Sequence, residues 1–108
     1  MKGVKIMKVE QFKNKNQFVI YGDNNEVTFQ SYDSTIAIIE GGELTLGIDW
    51  DYSNTTLRHL YAFLEEYYYD FNAELKTFLY DLRNSSKKGD MIRKGIEKGL
   101  INYNENLR

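Results

Sequence analysis

The chain has no cysteine, no proline, a single histidine and a single tryptophan. Without cysteine there is no disulfide, no thiol nucleophile and no Cys-ligated zinc. Without proline no turn is pinned that way, and no slow prolyl isomerisation is expected. No apolar run approaches the roughly 18 residues of a membrane helix. The opening MKGVKIMKVE intersperses lysines with apolar residues and lacks both the apolar stretch and the small-residue cleavage site of a secretory signal. It reads as a strand, and a cytoplasmic location is expected. The phosphate-cradling G-x-x-x-x-G-K-[ST], the zinc-binding H-E-x-x-H and the nucleophile elbow G-x-S-x-G are all missing. The lone His59 lies off the apolar stripe of its helix. Ala62 and Phe63 stand one turn on, and the nearest downstream carboxylate, Glu66, is two turns away. Nothing there orients an imidazole for proton transfer. No enzyme, cofactor or metal site is expected.

What is present is an ordinary globular composition of 108 residues, enough for one domain with a modest core. Aromatic residues make up 15%, and nine tyrosines against six phenylalanines supply rings suited to a surface or interface. The net charge is only −2, but it is unevenly distributed. Residues 1–21 carry +4, residues 22–82 carry −10 and residues 83–108 carry +4. The basic ends either neutralise the acidic middle or leave a field of one sign over one face.

Along the chain, residues 3–9 alternate weakly as a strand, and residues 12–16 are turn-like. Residues 17–21 are β-branched and aromatic, a clearer strand. Gly22-Asp23-Asn24-Asn25 follows, and residues of these types tolerate positive φ or cap turns with their side chains. Residues 26–32 alternate, and Asp33-Ser34 is the next expected turn. Residues 35–40 are apolar on both faces, as in a central strand covered on both sides or nearly so. Gly41-Gly42 is a two-residue hairpin signal, and residues 43–48 place Leu44, Leu46 and Ile48 on one face. From Asp49 the period becomes helical. Ser53 or Asn54 can cap, and an apolar stripe runs from Leu57 to Leu82 without Gly or Pro. The stripe fits one helix of about eight turns, or two helices broken near Asp70. A break is preferred, with Asp70 as the second cap, because one such helix would overhang a sheet of short strands. Residues 90–98 predict a further helix with Gly99 at its C′ position. Residues 100–103 form an edge strand or an extended tail, and the last five residues are expected to fray. The predicted fold class is therefore α+β in a single domain, residues 1–108. It is an antiparallel β-meander of four to five strands, mainly within residues 1–50. Two or three helices, mainly within residues 53–99, pack on one face. Residues 100–108 are the short strand or frayed tail.

Three stretches invite a functional reading. Asp49-Trp50-Asp51-Tyr52, if extended, places two carboxylates on one face. A hard cation wants more oxygen ligands than that, so Trp50 is read as the core anchor of a strand-to-helix corner, with Asp51 and Ser53 capping the helix. Lys87, Lys88, Arg93, Lys94 and Lys98 make the last helix basic, which suits phosphates or simply a solvated face. The most unusual composition is the aromatic-acidic cluster of Glu65, Glu66, Tyr67, Tyr69 and Asp70, followed by Glu74. Three consecutive tyrosines on a helix point three ways, so at least one is exposed. Exposed tyrosine beside carboxylates is the make-up of a protein–protein contact. If the helix continues, Glu66, Tyr69 and Asp70 form one ridge. These six residues are the expected partner-binding site. The alternative is that Tyr68 is core and the others cover the sheet edge.

One resemblance bears on function. Phe29-Gln30-Ser31-Tyr32 with Ile36-Ala37, then Leu46 and Asp49-Trp50-Asp51-Tyr52-Ser53 running into Thr55-Thr56, resembles a family of small uncharacterised proteins. Phages, plasmids and other mobile elements of Gram-positive bacteria carry them. The likeness covers roughly residues 26–64, with a looser match at residues 91–103, and no functional residue carries over. It implies an accessory protein in the cytoplasm of a bacterial host. Small acidic single-domain proteins in that setting include anti-CRISPR inhibitors. The expected function is non-enzymatic inhibition of a defence nuclease, a type II (Cas9) effector, by protein–protein binding. The alternatives are a small DNA- or RNA-binding regulator using the basic ends, and a structural or assembly protein. An acidic pI near 5.4 and the lack of a helix-turn-helix signature favour the inhibitor.

Overall fold

The structure, a computed structural model, describes residues 6–13 and 15–108, with side chains from Lys8 onward. Residues 3–5 of the predicted first strand and position 14 of the predicted first turn lie outside the described residues. Six strands form one sheet in the order of the chain: β1 (Ile6–Gln11), β2 (Gln17–Gly22), β3 (Val27–Ser31), β4 (Ser34–Glu40), β5 (Glu43–Gly47) and β6 (Asn102–Asn104). The first five pair antiparallel, and β6 adds parallel to β5, with Leu46 opposite Tyr103. The fold is α+β as predicted, with one strand more than the meander of four to five. The extra strand makes an edge strand of Asn102–Asn104, starting two residues later than the predicted 100–103, whose Leu100 and Ile101 lie outside it. A parallel neighbour cannot be reached through a tight turn and needs a long crossover. The helices α1 (Asn54–Glu66), α2 (Ala73–Arg83) and α3 (Lys88–Glu97) are that crossover.

Alternation assigns Val19, Val27, Phe29, Ala37, Ile39, Leu44 and Leu46 to one face of the sheet, and all are buried. Against them lie Leu60, Phe63 and Leu64 of α1, Leu75, Leu79 and Leu82 of α2, and Ile92 of α3, in one core. The Phe29 and Phe63 rings stack at 4.9 Å with 16° between planes, and Phe12 meets both edge-on. Such ring pairs contribute about 0.5–1.5 kcal/mol beyond the area they bury. On the opposite face Phe18, Ile20, Thr28 and Ile38 are only partly buried, so cover of the central strand is more one-sided than its sequence suggested.

The turns follow the residues that permit them. Gly41 and Gly42 take φ of +61° and +79° between paired Glu40 and Glu43, and Asn24 and Asn25 take +59° and +63°. The third turn is Tyr32-Asp33, one residue earlier than predicted. A register irregularity between Phe29 and Gln30 brings Ser31 opposite Ser34 and leaves Tyr32 at φ +55°.

Ser53 caps α1 by accepting from the Thr56 N–H at 3.1 Å. The helix stops at Glu66, and Tyr68–Asp70 forms a single 3₁₀ turn before Phe71 becomes extended and buried. The preferred break near Asp70 is therefore present, but Asp70 is not the cap. Phe71 and Asn72 are both non-helical, so the cap falls to Asn72, whose Oδ1 accepts from Leu75 N–H at 2.9 Å. Helix α3 begins two residues before Asp90 and ends as predicted, with Gly99 at φ +79°. Gly99 N–H donates to Ile96 and Leu100 N–H to Gly95, the paired bonds of a Schellman ending. The tail is held. Ile48 N–H donates to the Leu107 carbonyl at 3.0 Å, so the expected fraying does not reach that residue.

Candidate functional site: an acidic cleft rimmed by tyrosine

In an antiparallel meander, every second turn falls at the same end of the sheet. The β2–β3 and β4–β5 turns therefore share one end. The chain leaves β5 at the other end, turns at Trp50, and α1 returns toward them. The link from α1 to α2 consequently lands over both turns. Asn72 N–H donates to the Gly42 carbonyl at 2.9 Å, and the hydroxyls of Tyr21 and Tyr67 hydrogen-bond to each other.

These three segments enclose a cleft of about 620 Å³. Tyr21, Tyr67, Tyr69, Asp70 and Glu26 line it, together with Val27, Ile39, Asn24, Asn25 and the three glycines 22, 41 and 42. No lysine or arginine is among the lining residues. Tyr69 is 84% exposed at its mouth. Glu26 is only 6% exposed, and its carboxyl accepts no hydrogen bond from a described residue. Burial pushes the Glu26 carboxyl above its ordinary value, and the nearby Glu40 and Asp23 carboxylates push the same way. Asp23 Oδ1 is buried without a partner among the described residues. Leaving such an acceptor unmatched costs about 1–3 kcal/mol, so the fold tolerates a local penalty here. The Tyr67 hydroxyl is held well above the ordinary tyrosine range by burial first and the Tyr21 hydroxyl second.

Of the six residues singled out from sequence, Tyr67, Tyr69 and Asp70 meet in this cleft. Glu65 does not. It faces Arg83 Nε at 3.2 Å and lines a separate groove between α1 and α2. Glu66 is exposed at the last position of α1, and Glu74 is exposed in the first turn of α2. No continuous helix joins Glu66 to Tyr69 and Asp70, so the expected ridge is replaced by a corner. Sequence reasoning missed Glu26 as a member. Its one trace is an acid directly after a turn of Gly, Asp and two Asn, which alternation alone assigns to solvent.

The other sequence candidates have structural roles. Trp50 is buried at the corner, and Asp49 accepts from Ser34 Oγ at 2.9 Å. Asp51 does not cap α1; it pairs with Arg93 Nη2 at 3.0 Å. The Arg93 guanidinium also contacts Asp90 at 3.1 Å and lies 5.4 Å from the Trp50 ring centroid, tying α3 to the corner. Burial and then the neighbouring Arg58 lower the pKa of His59. Among the described residues no group of three His, Cys, Asp or Glu side chains is placed to hold a metal ion, and no helix is long and apolar enough to cross a membrane.

Charge of the other sign collects around the start of α1. Arg58 and Tyr61 face Lys87, Lys88 and Arg93 across a groove of about 580 Å³ that also includes Ser85, Ser86 and Gly89. A 13-residue helix is about 20 Å long, so α1 carries a basic groove near its start and the acidic cleft at its end.

Fold and site thus define an α+β protein with an acidic, aromatic cleft. The chain belongs to a family of unknown function (DUF8033), which it matches over residues 4–79. No curated protein and no solved structure matches it. The family match spans β1 through most of α2, and so includes every segment that builds the cleft.

Proposed function

We propose that this chain is a non-enzymatic binding protein of a mobile genetic element, and that it inhibits a host defence nuclease by docking a basic surface of it. The observation that carries the reading is the convergence of Tyr67, Tyr69 and Asp70 with Glu26 in one cleft that no lysine or arginine lines. Tyrosine supplies contact area at low entropic cost. Carboxylates speed encounter with a basic groove and fix orientation. The choice of a type II (Cas9) effector as partner rests on the resemblance over residues 26–64 and on charge complementarity with a groove built to hold nucleic acid. Mixing the purified protein with such an effector, with and without guide RNA, tests it. Co-elution and suppressed target cleavage are expected. Separate elution with cleavage unchanged at excess protein rejects it.

The basic groove at Arg58, Lys87, Lys88 and Arg93 favours a second reading, a regulator that binds DNA or RNA directly. A mobility shift with nucleic acid alone separates the two. The regulator binds with steep salt dependence, whereas the inhibitor needs no nucleic acid.

A further inference from the structure

We infer that the acidic cleft is a receptor for a single guanidinium group, an arginine side chain of the protein partner, which pairs with the Glu26 carboxylate between the tyrosines and the two β-turns. This rests on the protein-binding reading above and specifies its chemistry. Glu26 is a residue only 6% exposed whose carboxyl, close to Glu40 and Asp23, has no donor among the described residues, and it lacks the one thing a guanidinium brings: several N–H donors and a positive charge. The elevated protonation tendency of Glu26 agrees, since it is what an acid shows while its counter-charge is away.

The rim is suited to the same cation. Lys76 Nζ already stands 5.6 Å from the Tyr69 ring centroid, and Lys8 Nζ stands 5.9 Å from that of Tyr21. Two of the three lining tyrosines thus attract the chain's own cations, and a planar guanidinium stacks on such rings better than an ammonium does. A metal ion fits less well, because no three acidic or histidine ligands converge among the described residues.

The test is an amide NMR titration of the full chain with N-acetyl-arginine methylamide. N-acetyl-lysine methylamide, spermidine and the uncharged N-acetyl-norleucine methylamide serve as comparison probes. Saturable shifts confined to residues 22–27, 41–42 and 67–70 are expected, tightest for the arginine probe. Glu26→Gln should weaken them about tenfold, the scale of one charge-assisted hydrogen bond. Asp70→Asn, at an exposed position, should weaken them less and serves if Glu26→Gln does not fold. A response that never saturates, that the norleucine probe equals, or that both variants retain overturns the inference. Tighter binding of spermidine also overturns it, in favour of a free polyamine. An effector bound without any arginine response removes the guanidinium receptor and leaves the proposed function standing. An arginine response without effector binding does the reverse.

Discussion

Asn72 joins the two halves of the molecule at the cleft: its backbone N–H donates to the Gly42 carbonyl at 2.9 Å while its side chain caps α2. Sheet turn and helix start are therefore set by one residue. Asn72→Ala should cost about 1 kcal/mol through the lost cap. Gly42→Ala should cost a similar amount, because φ is +79° there and a Cβ would sit 3.3 Å from the Asn72 nitrogen. The two changes act on the backbone and the side chain of one residue, so urea denaturation of the double variant should depart from additivity by at least about 0.5 kcal/mol.

Gly47 marks a tighter approach. A Cβ at this position would fall 2.5 Å from the carbonyl oxygens of both Thr35 and Leu107. Backbone on two sides cannot yield as a flexible side chain can. Gly47→Ala should destabilise by about 3 kcal/mol, with faster hydrogen exchange at Ile48, whose N–H holds the Leu107 carbonyl. Unchanged exchange at Ile48 would show that the tail does not depend on this packing.

Tyr32 occupies the left-handed region at φ +55° with its side chain 61% exposed, so it bears backbone strain with little burial in return. Asparagine tolerates that conformation. Tyr32→Asn should raise stability by about 1 kcal/mol, seen as a higher melting temperature. A lower one would mean that the ring contributes packing that outweighs the strain.

Asp70 and Glu65 offer a controlled contrast in charge. Asp70 lines the cleft, whereas Glu65 is paired with Arg83 in another groove. Asp70→Lys should weaken binding of an arginine-rich peptide and flatten its salt dependence. Glu65→Lys should change neither by more than a surface charge does at a distance. Equal losses from both variants would place the binding surface outside the cleft.

How much of this was legible depended on whether the signal was local. The Gly41-Gly42 turn, the alternation of Val27 and Phe29, the Ser53 cap and the Gly99 ending each follow from a few adjacent residues, and each is present. The shift of the third turn to Tyr32-Asp33 comes from a register irregularity two residues upstream, which no composition marks. Asp70 was a reasonable cap by residue type, but the 3₁₀ turn that carries the chain on to Asn72 depends on Phe71 finding the core. The parallel β6 depends on where three helices return the chain. The cleft was half legible: Tyr67, Tyr69 and Asp70 stand out by composition, whereas Glu26 joins them only because two turns share an end of the sheet.

Glu26 supplies the sharpest test, because stability and binding should move in opposite directions. Its carboxyl is raised above the ordinary 4.5 by burial and by Glu40 and Asp23. The folded state therefore holds this proton more tightly than the unfolded chain does. The favourable contribution is fully present below 4.5 and is lost as pH rises through the folded-state value. Near neutral pH the partly desolvated carboxylate, beside Glu40 and Asp23, is a net burden. Glu26→Gln removes the charge and should stabilise the fold there, seen as a higher melting temperature near neutral pH. That gain should shrink toward zero in acid below 4.5, where the native side chain is itself protonated. Thermal melts of both proteins across this range measure the difference directly. A variant less stable than the parent near neutral pH, or a gain that does not depend on pH, would show that the carboxylate is already satisfied and that the cleft has no need of a cation.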